Sequence, residues 1–237
     1  MTETLYKVLD GNGYSCNGGS AKWFLPHGSR LGKWMPAIAN LVPCRRGYHV
    51  CRLDQLLAWL NVRVFEVEIR GGTVENVNKI VAGQARLIRE TAWNNRAAHH
   101  FAADCAERAL RREQRQGRNP DRRSWSAAKA ARQSADGLIT EMELSAAAES
   151  AGSAAAESAA WSAEWSARSA RSAAAESAAW SAAESAAESA AWSAEWSARS
   201  ARSAAAESAR SAAAVERRWQ AARLLKYLNG ELPRAAK

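Results

Sequence analysis

Four side chains in the N-terminal part of the sequence have the chemistry of metal ligands. Cys44, His49 and Cys51 lie within eight residues of one another, and Cys16 lies further upstream beside two glycines. On a strand, His49 and Cys51 would share one face, because side chains alternate with a period of two. Since structural zinc takes four such ligands in a tetrahedron, one hypothesis is a Cys3His zinc site. The alternative is that Cys51 is a core residue and His49 an ordinary strand histidine, because the spacing is not that of a standard C-x2-C knuckle.

A second group of polar residues could handle a nucleotide. Glu66 and Glu68 lie between Arg63 and Arg70 in a stretch that alternates apolar and charged residues. An ADP-ribosyltransferase needs a Glu near a strand end together with an Arg or a His, and Glu66, Glu68 and His49 could take these parts. The alternative is an edge strand with a charged solvent face. The sequence has no G-x-S-x-G elbow, no Walker loop and no G-x-G-x-x-G, so catalysis has little other support.

A run of arginines could follow a phosphate backbone, with Trp125 nearby to stack on a base. Its members are Arg108, Arg111, Arg112, Arg115, Arg118, Arg122 and Arg123. Arginine near a helix C-terminus is also favoured by the helix dipole, which needs no ligand. The chain carries a formal net charge of +9, but residues 145–214 hold 5 Arg against 8 Glu. We therefore expect neither a nucleic acid nor a membrane as a partner.

The scaffold for the first two groups is predicted to be a small α+β domain. The strand candidates are 5–9, 47–51, 62–70 and 79–90. Leucines recur at 53, 56, 57 and 60 with the spacing of one helical face, which predicts a helix over 53–60. Gly71 and Gly72 are expected to end the third strand, and residues 16–43, with their many glycines and prolines, are expected to be mostly loop.

Two Arg-rich helices are predicted to follow, over 92–116 and 121–135. Gly117 is a natural end for the first helix. Asn119 is expected to cap the second helix, with Pro120 in its first turn.

The next segment, 145–214, contains only 33 Ala, 18 Ser, 8 Glu, 5 Arg, 5 Trp and 1 Gly. Alanine is the best helix former, and Thr140 and Glu143 form a capping box that opens this segment. Residues 155–178 recur unchanged as 186–209, and the offset rotates the copy by roughly 220° on a straight helix. The segment is therefore either one rod with tryptophans on several faces or a helical hairpin that buries them, and we favour the hairpin.

Two parts of the chain resemble known families. FAADCAERAL from Phe101, then NPDRRSW, the Ala/Trp segment and VERRWQAARLLKYL follow in an order that resembles the Ala-rich helical immunity proteins of polymorphic toxin systems. This resemblance covers residues 91–230 and implies a protein that binds and blocks a toxin. Serine stands where that family has mostly alanine. Residues 5–90, with YKVLDGNGYSCNGG and PCRRGYHVCR, resemble a phage and bacterial domain of unknown function, which implies no activity. The strands around GYHVC are similar to ADP-ribosyltransferase folds by analogy alone.

The sequence thus predicts an α+β protein with a small N-terminal sheet-plus-helix domain and an all-α region that includes a long Ala/Ser-rich helix or helical hairpin. The predicted parts are 1–90, the two Arg-rich helices in 91–144, the repeat in 145–214 and a C-terminal amphipathic helix and tail in 215–237. We expect a cytoplasmic location, because there is no run of 18 apolar residues and no signal-peptide pattern, and four Cys do not indicate a disulfide framework.

The predicted function is a non-catalytic protein-interaction module of the immunity type. The alternatives are a nucleotide-handling, ADP-ribosyltransferase-like enzyme in the N-terminal domain and a phage accessory protein. The candidate partner surface consists of two tryptophan pairs at i, i+4 spacing, each with an arginine one turn further on. Its residues are Trp161, Trp165, Arg168, Trp192, Trp196 and Arg199.

We expect these tryptophan pairs to be buried in a core, because so large an exposed aromatic area is hard to keep soluble. The double variant Trp165→Ala with Trp196→Ala should then lose roughly 3–5 kcal/mol of stability per site, measured by thermal unfolding. An unchanged melting temperature together with weaker partner binding would instead assign the pairs to a binding surface.

Overall fold

A four-stranded antiparallel sheet with the order β1-β3-β4-β2 forms the N-terminal part of the protein. The computed structural model describes residues 3–16, 19, 21–140, 142–153 and 211–232. The strands are β1 (Leu5–Leu9), β2 (Tyr48–Val50), β3 (Arg63–Asn76) and β4 (Lys79–Glu90). Sheet and helices together confirm the α+β class, and the strand bounds of β1 and β4 are those the sequence predicts.

The hairpin of β3 and β4 is longer than the sequence predicts. Gly71 and Gly72 do not end β3, which continues to Asn76. The register between the two strands shifts between Arg70 and Thr73, and Gly71 has a φ of 78°. The two glycines therefore form a β-bulge, in which a residue with positive φ lets the strand bend and then resume its pairing.

The sheet curls until its two outer strands meet. Tyr6 N–H donates to the Cys51 carbonyl at 2.8 Å, and Cys51 N–H donates to the Tyr6 carbonyl at 3.0 Å. This pair is an isolated bridge rather than the start of a ladder. The outer strands β1 and β2 are thus joined at one point, and we call the line along which they face each other the seam.

An extended segment covers the part of β4 that β2 leaves unpaired. The backbone N–H groups of Gly32, Met35 and Ile38 donate to carbonyls of β4, each at 2.9 Å. A Cβ on Gly32 would lie 2.2 Å from the Phe24 carbonyl oxygen, so this close approach requires glycine. Part of the Gly- and Pro-rich loop predicted over 16–43 therefore acts like an additional strand, because its N–H groups satisfy backbone carbonyls of β4 that no strand pairs with.

The described helices are α1 (Leu53–Leu56), α2 (Asn95–Arg115) and α3 (Arg122–Ala135), with further helical residues at 142–153 and 211–228. α1 is shorter than the predicted helix over 53–60. α3 is capped by Asp121 and not by Asn119, because Asp121 Oδ1 accepts the N–H of Arg123 at 2.8 Å. The rod or hairpin predicted within 145–214 lies mostly outside the described residues. Within the described ranges, every helix is too short or too polar to span a lipid bilayer.

Apolar side chains pack on both faces of the sheet. The face covered by helices, the helix-side core, contains Tyr6, Val8, Cys51, Leu56, Val64, Trp93, Ala97, Phe101, Leu224, Tyr227 and Leu228. The face covered by the loop, the loop-side core, contains Leu9, Trp23, Met35, Tyr48, Val50, Phe65, Val67, Ile80, Ala85 and Leu87. The helix-side core joins β1 to α2 and to the C-terminal helix, so residues near the two ends of the chain share one apolar interior.

A buried carboxylate fastens three helices to each other. Asp104 on α2 accepts hydrogen bonds from Arg132 on α3 at 2.7 Å and from the Tyr227 hydroxyl at 2.7 Å, and it also pairs with Arg223. Burial alone would raise the pKa of Asp104, but the hydrogen bonds from Arg223, Tyr227 and Arg132 outweigh it and hold the pKa below its usual value. The carboxylate is therefore charged in the folded protein.

We expect Asp104→Asn to lower the free energy of unfolding by about 2–4 kcal/mol at pH 7, because it leaves two arginines without their shared charge. Since the folded pKa is depressed, the contribution of Asp104 is present above about pH 4 and lost as the pH falls. The difference between variant and wild type, measured by urea unfolding, should therefore narrow in acid. Tyr227→Phe is the control and should cost only about 1 kcal/mol. Equal losses at pH 7 and in acid would contradict this account.

Candidate functional site

A pocket of about 580 Å³ opens along the seam between β1 and β2. Its described wall comes from β1, from β2 with the turn that precedes it, from the loop around Trp23, and from Trp59 and Lys79. The physical origin of this pocket is the isolated bridge of Tyr6 and Cys51, because beyond this pair the backbones of the two strands are not hydrogen-bonded to each other. The pocket lies where the next backbone pair between β1 and β2 would form if these two strands continued to pair.

Lys7 crosses the seam from β1 to β2. Its ammonium donates to the His49 carbonyl at 3.1 Å and lies 5.0 Å from the centroid of the Trp23 ring. Only 8% of Lys7 is exposed. Burial lowers the pKa of Lys7 to about 8, because an apolar environment disfavours the charged form of an amine. Lys7 replaces with its side chain one of the backbone hydrogen bonds that β1 and β2 do not make.

The pocket wall is cationic. Among the described residues that line it, four carry a positive charge and none is Asp or Glu; the four are Lys7, Arg45, Arg46 and Lys79. Lys79 Nζ donates to Cys44 Sγ at 3.0 Å and lies 5.0 Å from the centroid of the Trp59 ring. None of these four cations forms a salt bridge with a described carboxylate. The field in this pocket therefore favours a negatively charged ligand.

The predicted zinc ligands all line this one pocket but are not arranged as a ligand set in the described part of the chain. The wall includes Cys16, Cys44, His49 and Cys51, and the three cysteines are free thiols. In the described part of the chain, however, no three His, Cys, Asp or Glu side chains lie close enough together to hold a metal ion. His49 Nε2 accepts the backbone N–H of Cys44 at 2.9 Å. Zinc binding stays a prediction.

Two thiols of the pocket, Cys16 and Cys51, are held in their neutral form. Burial raises the pKa of Cys51 to about 12 and raises the pKa of Cys16. The Cys51 thiol lies 3.7 Å from the Tyr6 carbonyl oxygen, to which it donates. Burial, and then the charges of Lys7 and Lys79, lower the pKa of His49. Because zinc needs thiolates as ligands, the raised pKa values of Cys16 and Cys51 oppose a metal site in this arrangement. The lowered pKa of His49 does not, since it favours the neutral imidazole that a metal binds.

The proposed nucleotide-handling set is divided between two places. His49 lines the pocket, whereas Glu66 and Glu68 do not. Glu66 pairs across the hairpin with Arg89, and Glu68 pairs with Arg86 at 2.6 Å. β3 is an inner strand of the sheet, not an edge strand. Glu66 and Glu68 therefore form cross-strand ion pairs of the kind that stabilise a sheet.

Several arginines of the basic run have partners within the chain. Arg108 pairs with Glu216 at 2.9 Å and stacks on the Trp219 ring at 4.3 Å. Arg118 pairs with Glu113, and Arg123 pairs with Asp121. These contacts join α2 to the C-terminal helix and close the turn between α2 and α3.

The candidate partner surface formed by the tryptophan pairs and their arginines, all within 161–199, lies outside the described residues. No family model, no curated protein and no solved structure matches this chain. The cations and tryptophans of the pocket were missed by sequence reasoning; they are Lys7, Trp23, Arg45, Arg46, Trp59 and Lys79. One signal was available, because Lys7 lies between Leu5 and Leu9 on the same face of a strand, where a charge would not be expected in a core.

The pH dependence of stability should report the buried amine of Lys7. The unfolded state keeps this proton up to about pH 10.4, but the folded state releases it near pH 8. Between these values the unfolded state binds more protons, so wild-type stability rises with pH across this window. The stability of Lys7→Met relative to wild type, from urea unfolding, should therefore fall by about 2–3 kcal/mol between pH 7 and pH 10. Lys226→Met, on an exposed helix position, is the control, and a pH-independent difference for Lys7→Met would refute the prediction.

Proposed function

We propose that this chain is a binding protein whose N-terminal domain holds a small phosphate-bearing ligand in the seam pocket. The observation that carries this proposal is the cationic wall without a described carboxylate. Adjacent arginines are suited to phosphate, because a planar guanidinium can donate two parallel hydrogen bonds to its oxygens. Arg45 and Arg46 are exposed and have no described acceptor for their guanidinium groups, so both are available for such a ligand.

This proposal is compatible with a nucleotide as the ligand but requires no catalysis. Tyr48 and Trp23 line the pocket yet are more than nine-tenths buried, and Lys79 lies over the ring of Trp59. Trp23 and Trp59 thus each contact a cation, from Lys7 and Lys79, and the buried Tyr48 ring packs against Trp23, so these rings do not offer an open face to a base. We therefore propose that the pocket recognises the phosphate group. Whether a base and a sugar add affinity is measured by comparing ATP with pyrophosphate.

The immunity-type function remains a separate hypothesis. It is supported by the resemblance of residues 91–230 and by the tryptophan pairs. In that hypothesis the chain binds and blocks a protein toxin, with no role for the pocket.

Isothermal titration with pyrophosphate and with ATP should detect binding at low salt. We expect Arg45→Gln with Arg46→Gln to weaken both affinities about tenfold or more, because each charged hydrogen bond contributes about 1.5–3 kcal/mol. The matched control is Arg115→Gln with Arg122→Gln, which removes the same charge from exposed positions outside the pocket. Tighter binding of ATP than of pyrophosphate would favour a nucleotide. If both double variants weakened binding equally, the affinity would depend on net charge alone, which would contradict the proposal.

A further inference from the structure

Lys7 is the buried member of the cationic wall. With 8% of its surface exposed, its ammonium has one acceptor among the described residues, the His49 carbonyl at 3.1 Å. An ammonium group has three N–H donors, so two of them have no acceptor in the described part of the chain. Lysine is almost never buried without a paired charge, and no described carboxylate pairs with Lys7. Stability alone does not account for this placement.

An amine in such surroundings is suited to nucleophilic chemistry. Burial without a counter-ion favours the neutral amine over the ammonium, and the neutral amine has a free electron pair. A lysine that is desolvated, or that lies near other cations, is the usual form of a Schiff-base lysine. Lys7 meets the first condition, since it is only 8% exposed, and Arg45, Arg46 and Lys79 line the same pocket.

We infer that Lys7 Nζ is a covalent attachment site for the carbonyl carbon of a phosphate-bearing aldehyde or ketone. The inference rests on the proposed anion-binding function, which supplies the groups that hold the phosphate. The electron pair of the neutral amine forms a C–N bond with the carbonyl carbon as the carbonyl π bond breaks, and one proton moves from the nitrogen to the oxygen, which gives a carbinolamine. The C–O bond then breaks, and the oxygen leaves as water with the two hydrogens of the amine. The product is an imine, no oxidant or reductant is consumed, and water reverses the reaction.

Pyridoxal 5′-phosphate carries both an aldehyde and a phosphate, and pyridoxal is the matched probe without the phosphate. The full-length protein is incubated with either probe, the imine is reduced with borohydride, and the labelled lysine is identified by peptide mass mapping. We expect one label per chain at Lys7, formed about tenfold faster or more with the phosphate-bearing probe. The exposed Lys226 should be labelled more slowly and without preference for either probe.

Variants separate the covalent site from the anion-binding function. Lys7→Arg keeps the charge and should abolish the label, whereas Lys226→Arg should leave it in place. Arg45→Gln with Arg46→Gln should slow labelling by pyridoxal 5′-phosphate and not by pyridoxal. Equal rates at Lys7 with both probes would sustain the covalent site and overturn the anion-binding function. Phosphate binding by calorimetry with labels only on exposed lysines would overturn the covalent site alone. Peptide mass mapping of the labelled wild-type protein shows whether Lys7 carries the label, even if Lys7→Arg does not fold.

Discussion

A single pair of backbone hydrogen bonds, between Tyr6 and Cys51, determines the form of the N-terminal domain. It brings the two outer strands of the sheet together, so the sheet encloses apolar side chains on one face and presents a second apolar face to the helices. Because the pairing does not continue, β1 and β2 separate, and their backbone groups need other partners. Lys7 supplies one of them at the His49 carbonyl. The pocket is the space that remains.

The helices depend on this sheet as much as on each other. Leu224, Tyr227 and Leu228 of the C-terminal helix pack into the same core as Tyr6 and Val8 of β1. The N–H of Ala92, just after β4, donates to the Leu228 carbonyl at 2.9 Å. Asp104 then fixes the C-terminal helix to α2 and α3 through Arg223 and Arg132. The Ala/Ser-rich segment is therefore preceded and followed in the sequence by residues that belong to one folded body.

Local patterns predicted the regular elements, and long-range contacts decided the rest. The strand pattern over 79–90 and the helical spacing over 92–116 are properties of neighbouring residues. The structure confirms β4 and confirms α2 as a helix that begins at Asn95 and not at residue 92. The bulge at Gly71 could not be predicted, because a double glycine is equally typical of a turn, and only the pairing with β4 shows that the strand continues. The four candidate metal ligands line one pocket, but their chemistry depends on burial and on Lys7 and Lys79, which the spacing of the cysteines does not reveal.

The distribution of charge in the N-terminal domain gives the pocket its character. On the hairpin, Arg63, Arg86 and Arg89 each face a glutamate across the sheet, so the positive and negative charges there largely cancel at a distance. No described carboxylate lines the pocket beside the cations of the seam. The fields of these cations therefore add within one partly enclosed space, where low-dielectric walls strengthen them. A protein whose glutamates were spread evenly would have no such difference between two parts of one small sheet. The positive field of the seam pocket comes from the convergence of cations without a described carboxylate on one partly enclosed space, more than from the total of +9.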